Sequence, residues 1–387
     1  MASITAARRG KSVLLLEKLS TLGAKLKATG GGRCNLTNTL DNEEFMDRFG
    51  RNGRFMRNAL ELFDHKALID FFNKLDVKTD ALDGFRVFPA THNSQTILNA
   101  LLNEARRVGV TFHHSTKVDF IEYKECFYIN STFKSRNLLI ATGGRGYSTL
   151  GGGEDGYKLA KSFNHTVTDT YPAMLPLKTK EKWVANCTAD TIPKVEIRVG
   201  LKKHKKLKAR GDLIFTKDGI KGPVVLDFAT QLTPLISKYQ EVPLLLNFTK
   251  GMSESDLIDF LKKTRGSLEE SLKSILPDSL LKELCKLANV NPKERYSKLK
   301  GEAKEKFVKI LAWTPLSVVD SYGFEKAMVT KGGVSLKEVE PNTLQSKIQK
   351  NLYFAGEVLD IDGPCGGFNL QWAFSSGFLV GHTFDIE

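Results

Sequence analysis

The chain has no apolar run of membrane-spanning length, no paired cysteine spacing and no G-x-G-x-x-G turn ahead of its first helix, and the first two absences each remove a class of function. Without about 20 consecutive apolar residues a helix cannot cross a bilayer. Cys34, Cys126, Cys187, Cys285 and Cys365 are odd in number and widely spaced, with neither a C-x-x-C pair nor a zinc spacing. A reduced, cytoplasmic setting fits them, and no metal-ligating set stands out. The opening MASITAARRG places its arginines after a short apolar stretch, the wrong order for a secretory signal. The seven histidines are scattered, and none lies in a glycine-rich loop, so no general base is evident.

What remains is a chain of 387 residues, long enough for two or three domains, with the 41% hydrophobic and 26% charged content of an ordinary globular protein. Its net charge of +13 permits contact with nucleic acid or an anionic ligand, although charge speaks to association and not to fold.

The stretch Asn351–Gly377 organises the rest. A strand-like run, Leu352–Ala355, leads through Gly356 and Glu357 to Asp360, then to Gly363, Gly366 and Gly367, and into an apolar helix. Bare backbone between a strand and a helix N-terminus suits a bound anionic group. Glu357 and Asp360 would instead accept hydrogen bonds from sugar-like hydroxyls, while the glycines let something large and flat approach. The alternative is a strand–turn–helix whose glycines merely turn the chain.

Residues 1–9 read as the end of a helix with Gly10 past its C-terminus, followed by a buried strand, Ser12–Leu16, closed by Glu17. In a dinucleotide-binding βαβ unit the acid ending the second strand holds the adenosine ribose; otherwise Glu17 is any surface acid after a strand. The first strand and its glycine turn do not precede this helix. Next come three successive glycines, Gly30–Gly32, then Arg33, Cys34, Asn35 and Asn38. Glycine costs conformational entropy, so this run suggests backbone pressed against a ligand, with a charge and two amides beside it. Residues 42–75 read as a helical cover, Phe85–Pro89 as a short strand or turn and Ile97–Val108 as an amphipathic helix. VDFIEY, CFYINSTF and NLLIAT read as a β-meander closing in Ala141, Thr142, Gly143 and Gly144. A second glycine cluster, Gly151–Gly156, precedes a helix at Tyr157–Phe163.

From Tyr171 the pattern becomes that of separated barrel strands: YPAMLPL, VEIRVGLKKHKKLKARGDLIFT, GPVVLDFA and VPLLLNF. The basic run from Lys202 to Arg210 reads as a solvated hairpin tip and not a nucleic-acid grip, because no aromatic residue interleaves it for base stacking. A capping box at Ser253–Asp256 opens a helical section reaching about Trp313, and Ala327–Val334 returns the chain by a strand.

Taken together and in this order, GGGRCNLTN, ATGGRGYSTLGGGEDGYKLA, YPAMLPL, LIFTKDGIKGPVVLDFA, VTKGGVSLKEV and YFAGEVLDIDGPCGGFNLQWAFSSG resemble the bacterial flavoprotein family labelled aminoacetone-oxidase-like or BaiN/YhiN-type. The resemblance implies an α/β fold: a two-dinucleotide-binding-type, glutathione-reductase-like FAD domain split in sequence, with an inserted antiparallel β-barrel and a small helical subdomain. The expected boundaries are 1–170 and 327–387 for the FAD domain, 171–252 with 313–326 for the barrel, and 253–312 for the helices. It implies further that Glu17 takes the adenosine ribose, and that Arg33, Cys34 and Asn35 lie along the FAD. Val118 would offer backbone to the adenine, Thr142, Gly143 and Gly144 would pass near the pyrophosphate, and Asp360 and Asn369 would hold the ribityl–flavin end. Cys365 would sit near the isoalloxazine, as a reactive or a packing thiol.

The family's N-terminal strand and phosphate-binding glycines are missing. Either the start was placed too late, which is the reading preferred here, or the chain is a degenerate member. FAD affinity of the chain as written is then expected to be low, and stoichiometric flavin retained through gel filtration would refute that. The function expected is FAD-dependent hydride transfer with a small organic substrate, with NAD(P)H docking transiently or dioxygen as redox partner. The alternatives are a nucleic-acid-associated basic protein, although nucleic acid is not the expected partner, and a cofactor-free remnant with an interaction role.

Overall fold

The computed structural model describes residues 1–384, so 385–387 of the expected second FAD segment lie outside the described residues. The chain divides into two compact units, Met1–Pro172 with Ala327–Glu387, and Ala173–Lys326. The expected helical segment 253–312 falls within the second unit.

In the first unit the β-branched and leucine-rich runs form two parallel pairs. Leu14–Leu16 pairs with Thr111–His113, and Leu138–Ile140 pairs with Leu352–Phe354. The helix Phe368–Thr383 is buried along most of its length, with Trp372, Leu379 and Val380 almost fully enclosed. Such a helix must satisfy its polar side chains internally. Ser375 donates to the Phe63 carbonyl at 2.6 Å, and Gln371 donates to the same oxygen at 3.0 Å. The N-terminal helix Ala2–Arg8 packs against it, anchored by Arg8 to the buried Glu104 carboxylate at 2.6 Å.

The second unit contains a closed six-stranded antiparallel barrel. Its order is Leu177–Thr179, Gly219–Lys221, Lys208–Phe215, Thr191–Val199, Val242–Asn247 and Thr314–Ser321, returning to the first. The barrel bears out the expected class. Helices Glu254–Lys263, Leu268–Leu272, Asp278–Ala288 and Gly301–Ala312 lie in the chain between the strands Val242–Asn247 and Thr314–Ser321, and the capping box at Ser253 is formed through Asp256.

Three elements differ from the sequence reading. YPAMLPL is not one barrel strand: Tyr171–Ala173 pairs with Val329–Lys331 in a separate two-stranded sheet, and the barrel strand starts only at Leu177. GPVVLDFA is not a strand but the first turns of helix Pro223–Tyr239. Proline at the first helical position needs no amide partner, and Val224, Val225, Phe228, Ala229 and Leu232 bury one face at helical spacing. The meander consists of Ile121–Tyr123, Phe127–Ile129 and Phe133–Ser135, because Asn130 and Ser131, both at positive φ, turn CFYINSTF back on itself. Leu138–Ile140 leaves it for the parallel pair described above.

Candidate functional site

The glycine-rich loops of the first unit converge. Gly31 (φ 67°) and Gly32 (φ 88°) adopt left-handed backbone, and a methyl group built on either would meet nothing within 4 Å. Gly143, at the end of the strand Leu138–Ile140, is open in the same way. These positions keep bare backbone facing open space, which is the arrangement a closely approaching flat or anionic ligand requires. Gly367 is the opposite case. Its φ is 84°, and a Cβ there would lie 2.4 Å from the Thr37 carbonyl oxygen, so glycine is needed for the protein's own packing.

Two amides stitch the first loop to the last. The Asn35 amide, with its oxygen toward Gly367, accepts from the Gly367 N–H at 3.0 Å and donates to the Thr37 carbonyl at 3.0 Å. Asn38 donates to the Gly366 carbonyl at 2.9 Å. Asn369 spans its own loop, accepting from the Gly363 N–H and donating to the Gly363 carbonyl, both at 2.8 Å.

Glu357 is the electrostatic centre. One carboxylate oxygen accepts from Lys25 Nζ at 2.7 Å, and the other accepts from the Thr330 N–H at 2.8 Å. The Thr330 hydroxyl in turn accepts from the Arg145 N–H at 2.8 Å and the Gly146 N–H at 3.2 Å. Gly144 lies against this centre, since a Cβ there would come within 2.6 Å of Glu357 Oε1. Beside it the buried Tyr157 hydroxyl, next to Thr330, makes no hydrogen bond of ordinary geometry, and burial pushes its pKa up. Asp362 is held protonated more readily than a free carboxylate, at about 6. Burial is the main cause, Lys331 opposes it, and Asp360 and Glu357 add to it.

Each expected site residue can now be placed. Glu17 ends the strand Leu14–Leu16, and its carboxylate accepts from the Leu19 N–H at 2.8 Å. Its neighbour Lys18 pairs with Asp155 at 2.8 Å, which ties this end to the second glycine cluster. Arg33 folds back on its own loop, with its guanidinium 5.3 Å from the Phe88 ring centre and Nε donating to the Gly30 carbonyl. Cys34 is fully buried in a core with Leu36, Phe63 and Phe374. Burial pushes its thiol up to about 11, so its side chain serves packing and only its backbone borders the loop. Val118 is half-buried beside the meander, where Asn130 braces the flanking backbone. Thr142 is exposed, Gly143 faces open space, and Gly144 is buried. Gly356 is enclosed, its N–H donating to Ser376 Oγ and its carbonyl accepting from Trp372 Nε1. The Asp360 backbone is fixed by Val334 and Asn52. Gly366 lies beside Phe85 and Phe368.

The structure therefore brings together the 30–38, 143–146 and 356–369 loops. Sequence reasoning missed Lys25, Thr330, Tyr157 and Asp362. Only Asp362, inside the DIDGPCGG motif, carried a local signal.

A family profile described as HI0933-like protein Rossmann domain matches residues 1–383. The chain is 30% identical over 398 residues to the 3-dehydro-bile acid delta(4,6)-reductase of Clostridium scindens, across 99% of this chain and 95% of the relative. It is 28% identical over 385 residues to a ribosomal RNA dihydrouridine synthase of Escherichia coli K12, across 97% and 92%. Among solved structures, the 3-ketosteroid-delta4-(5alpha)-dehydrogenase from Rhodococcus jostii RHA1 aligns with a TM-score of 0.49 at 14% identity, over 99% of this chain and 92% of that one, a likeness too coarse to carry argument.

Proposed function

The chain belongs to the HI0933-like Rossmann-domain family, and from that premise we propose that it is an FAD-dependent oxidoreductase reducing a carbon–carbon double bond conjugated to a carbonyl, with NAD(P)H as a transiently docked donor. The observation that carries the reading is the open, left-handed backbone at Gly31, Gly32 and Gly143, joined to the 363–369 loop through Asn35 and Asn38. The residues present fit an extended dinucleotide. Glu17 takes the ribose, the 142–144 backbone borders the pyrophosphate, and Asp360 with the 366–367 backbone borders the flavin end. Arg33, Cys34 and Asn369 act by shaping the loops. The names of the two relatives support the bond type, since a delta(4,6)-reductase and a dihydrouridine synthase each saturate a carbon–carbon double bond.

When bound, FAD supplies hydride transfer. Saturating a double bond also needs a proton, and this chain can hold one at the Asp362 carboxyl, which burial pushes up to about 6. The Lys25–Glu357–Thr330 chain fixes the backbone around that loop. The test is anaerobic. Protein loaded with FAD is mixed with NADH or NADPH and then with a 3-keto-Δ4 steroid or a uridine oligomer. The flavin's visible band should bleach and then return on adding the unsaturated substrate. A flavin that neither nicotinamide reduces, or that only dioxygen reoxidises, overturns the proposal.

A further inference from the structure

The charge is unevenly placed. Residues 173–326 hold 29 Lys and Arg against 19 Asp and Glu, so +10 of the +13 net charge lies in the second unit. Its focus is the hairpin of strands Thr191–Val199 and Lys208–Phe215. Lys202, Lys203, Lys205, Lys206 and Lys208 are exposed there, and none of the five is ion-paired among the described residues. On the adjoining outward face Arg198 stands opposite Lys208, and Glu196 stands opposite Arg210. Two carboxylates share this face: Glu196 lies 3.9 Å from Arg198 and 3.8 Å from Arg210, and Asp212 accepts from the Lys194 N–H at 3.1 Å, which leaves the cations in excess.

A lysine-rich tip by itself is a solvated turn. The structure adds aromatic rings that are remote in sequence. The Arg198 guanidinium lies 3.9 Å from the Trp313 ring centre, and the pair is flanked by Leu245, 37% exposed, opposite Arg198 on the next strand. At the tip His204 Nε2 lies 3.3 Å from the Tyr239 hydroxyl. An arginine plane backed by tryptophan, beside a row of unpaired lysines, combines the two features of a single-strand site: a platform for an unstacked base and cations for the phosphates.

We propose that this hairpin face is a docking surface for single-stranded RNA. As a means of presenting substrate it rests on the reductase reading above, since the uracil ring carries a double bond conjugated to a carbonyl. A duplex is disfavoured, because its bases are stacked away from the Arg198–Trp313 platform.

The test uses the full chain and fluorescein-labelled single-stranded RNA, read by anisotropy against salt. If Lys203, Lys205, Lys206 and Lys208 each meet a phosphate, log K should fall with log salt at a slope of about −3, or about 50-fold between about 50 and about 200 mM. A triple variant, Lys203→Glu with Lys205→Glu and Lys206→Glu, should lose at least about tenfold in affinity and flatten the slope toward about −1. Trp313→Leu keeps the charge and should weaken binding about tenfold with the slope unchanged. Should it fail to fold, Arg198→Lys keeps the charge, removes the guanidinium plane and reads the same platform. Unchanged binding by the triple variant, or equal binding of duplex DNA or phosphatidylserine vesicles, overturns the inference. Nicotinamide-driven flavin bleaching separates the two proposals: normal bleaching without RNA binding refutes only the docking surface, and RNA binding without bleaching refutes only the reductase.

Discussion

Gly32→Ala and Gly367→Ala should fail in different ways, and the contrast tests whether the open backbone at Gly31 and Gly32 belongs to a ligand. At Gly32 (φ 88°) the added methyl meets no protein atom, so the cost to the fold is the left-handed strain of an L-residue, about 1–2 kcal/mol, or a melting shift of about 3–6 °C. If FAD packs on that backbone, the same methyl overpacks the complex by about 1–3 kcal/mol, weakening binding about 5- to 150-fold. At Gly367 the methyl would stand 2.4 Å from the Thr37 carbonyl oxygen. The backbone must shift, and the Asn35–Gly367 hydrogen bond is strained as well. The same strain plus about 1–3 kcal/mol of overpacking and about 1 kcal/mol for the bond gives about 3–6 kcal/mol, a loss of stability visible without any flavin. Thermal melts and FAD titration of both variants read the two effects separately. Gly32→Ala binding FAD like the wild type would refute the claim that the cofactor lies there.

Glu357→Gln should lower stability by about 1–3 kcal/mol in a denaturant melt, because the amide keeps its shape but loses the charge that pairs with Lys25 at 2.7 Å. His165 is buried, with Nε2 at 2.7 Å from Ser346 Oγ and Glu338 nearby, and burial lowers its pKa. The unfolded chain then takes a proton that the folded form resists. His165 therefore contributes full stability above its ordinary pKa of about 6.5 and loses it as pH falls below that value. His165→Gln should flatten the decline in melting temperature over that acid range, and an unchanged slope would contradict the assignment. Burial holds the thiols of Cys34, Cys187 and Cys285 up at about 11, 12 and 12, so native protein should leave these three unlabelled by a thiol reagent near pH 8, with mass mapping as the check.

Local patterns carried much of the fold into the sequence. Leu14–Leu16, the capping box at Ser253 and the barrel strands Thr191–Val199 and Val242–Asn247 each have an apolar period or cap that decides their type. Pro223–Tyr239 was misread because Val-Val-Leu has strand propensity. Its helical burial period becomes visible only over the longer window to Leu232. The glycines and asparagines of the candidate site were legible because their type is set by local backbone. Lys25 and Thr330 were not, since each acquires its role from Glu357, which is remote in sequence from both. Trp313 was hidden for the same reason: the basic run has no aromatic within it, and barrel closure supplies one from another strand's edge.

Titrating the purified protein with FAD, while following flavin fluorescence and the visible spectrum, tests the central claim most directly. Saturable one-to-one quenching, weakened by Gly32→Ala, is the result expected of loops built to receive a flavin nucleotide. A response that rises linearly without saturating, and is the same in the variant, would contradict the account.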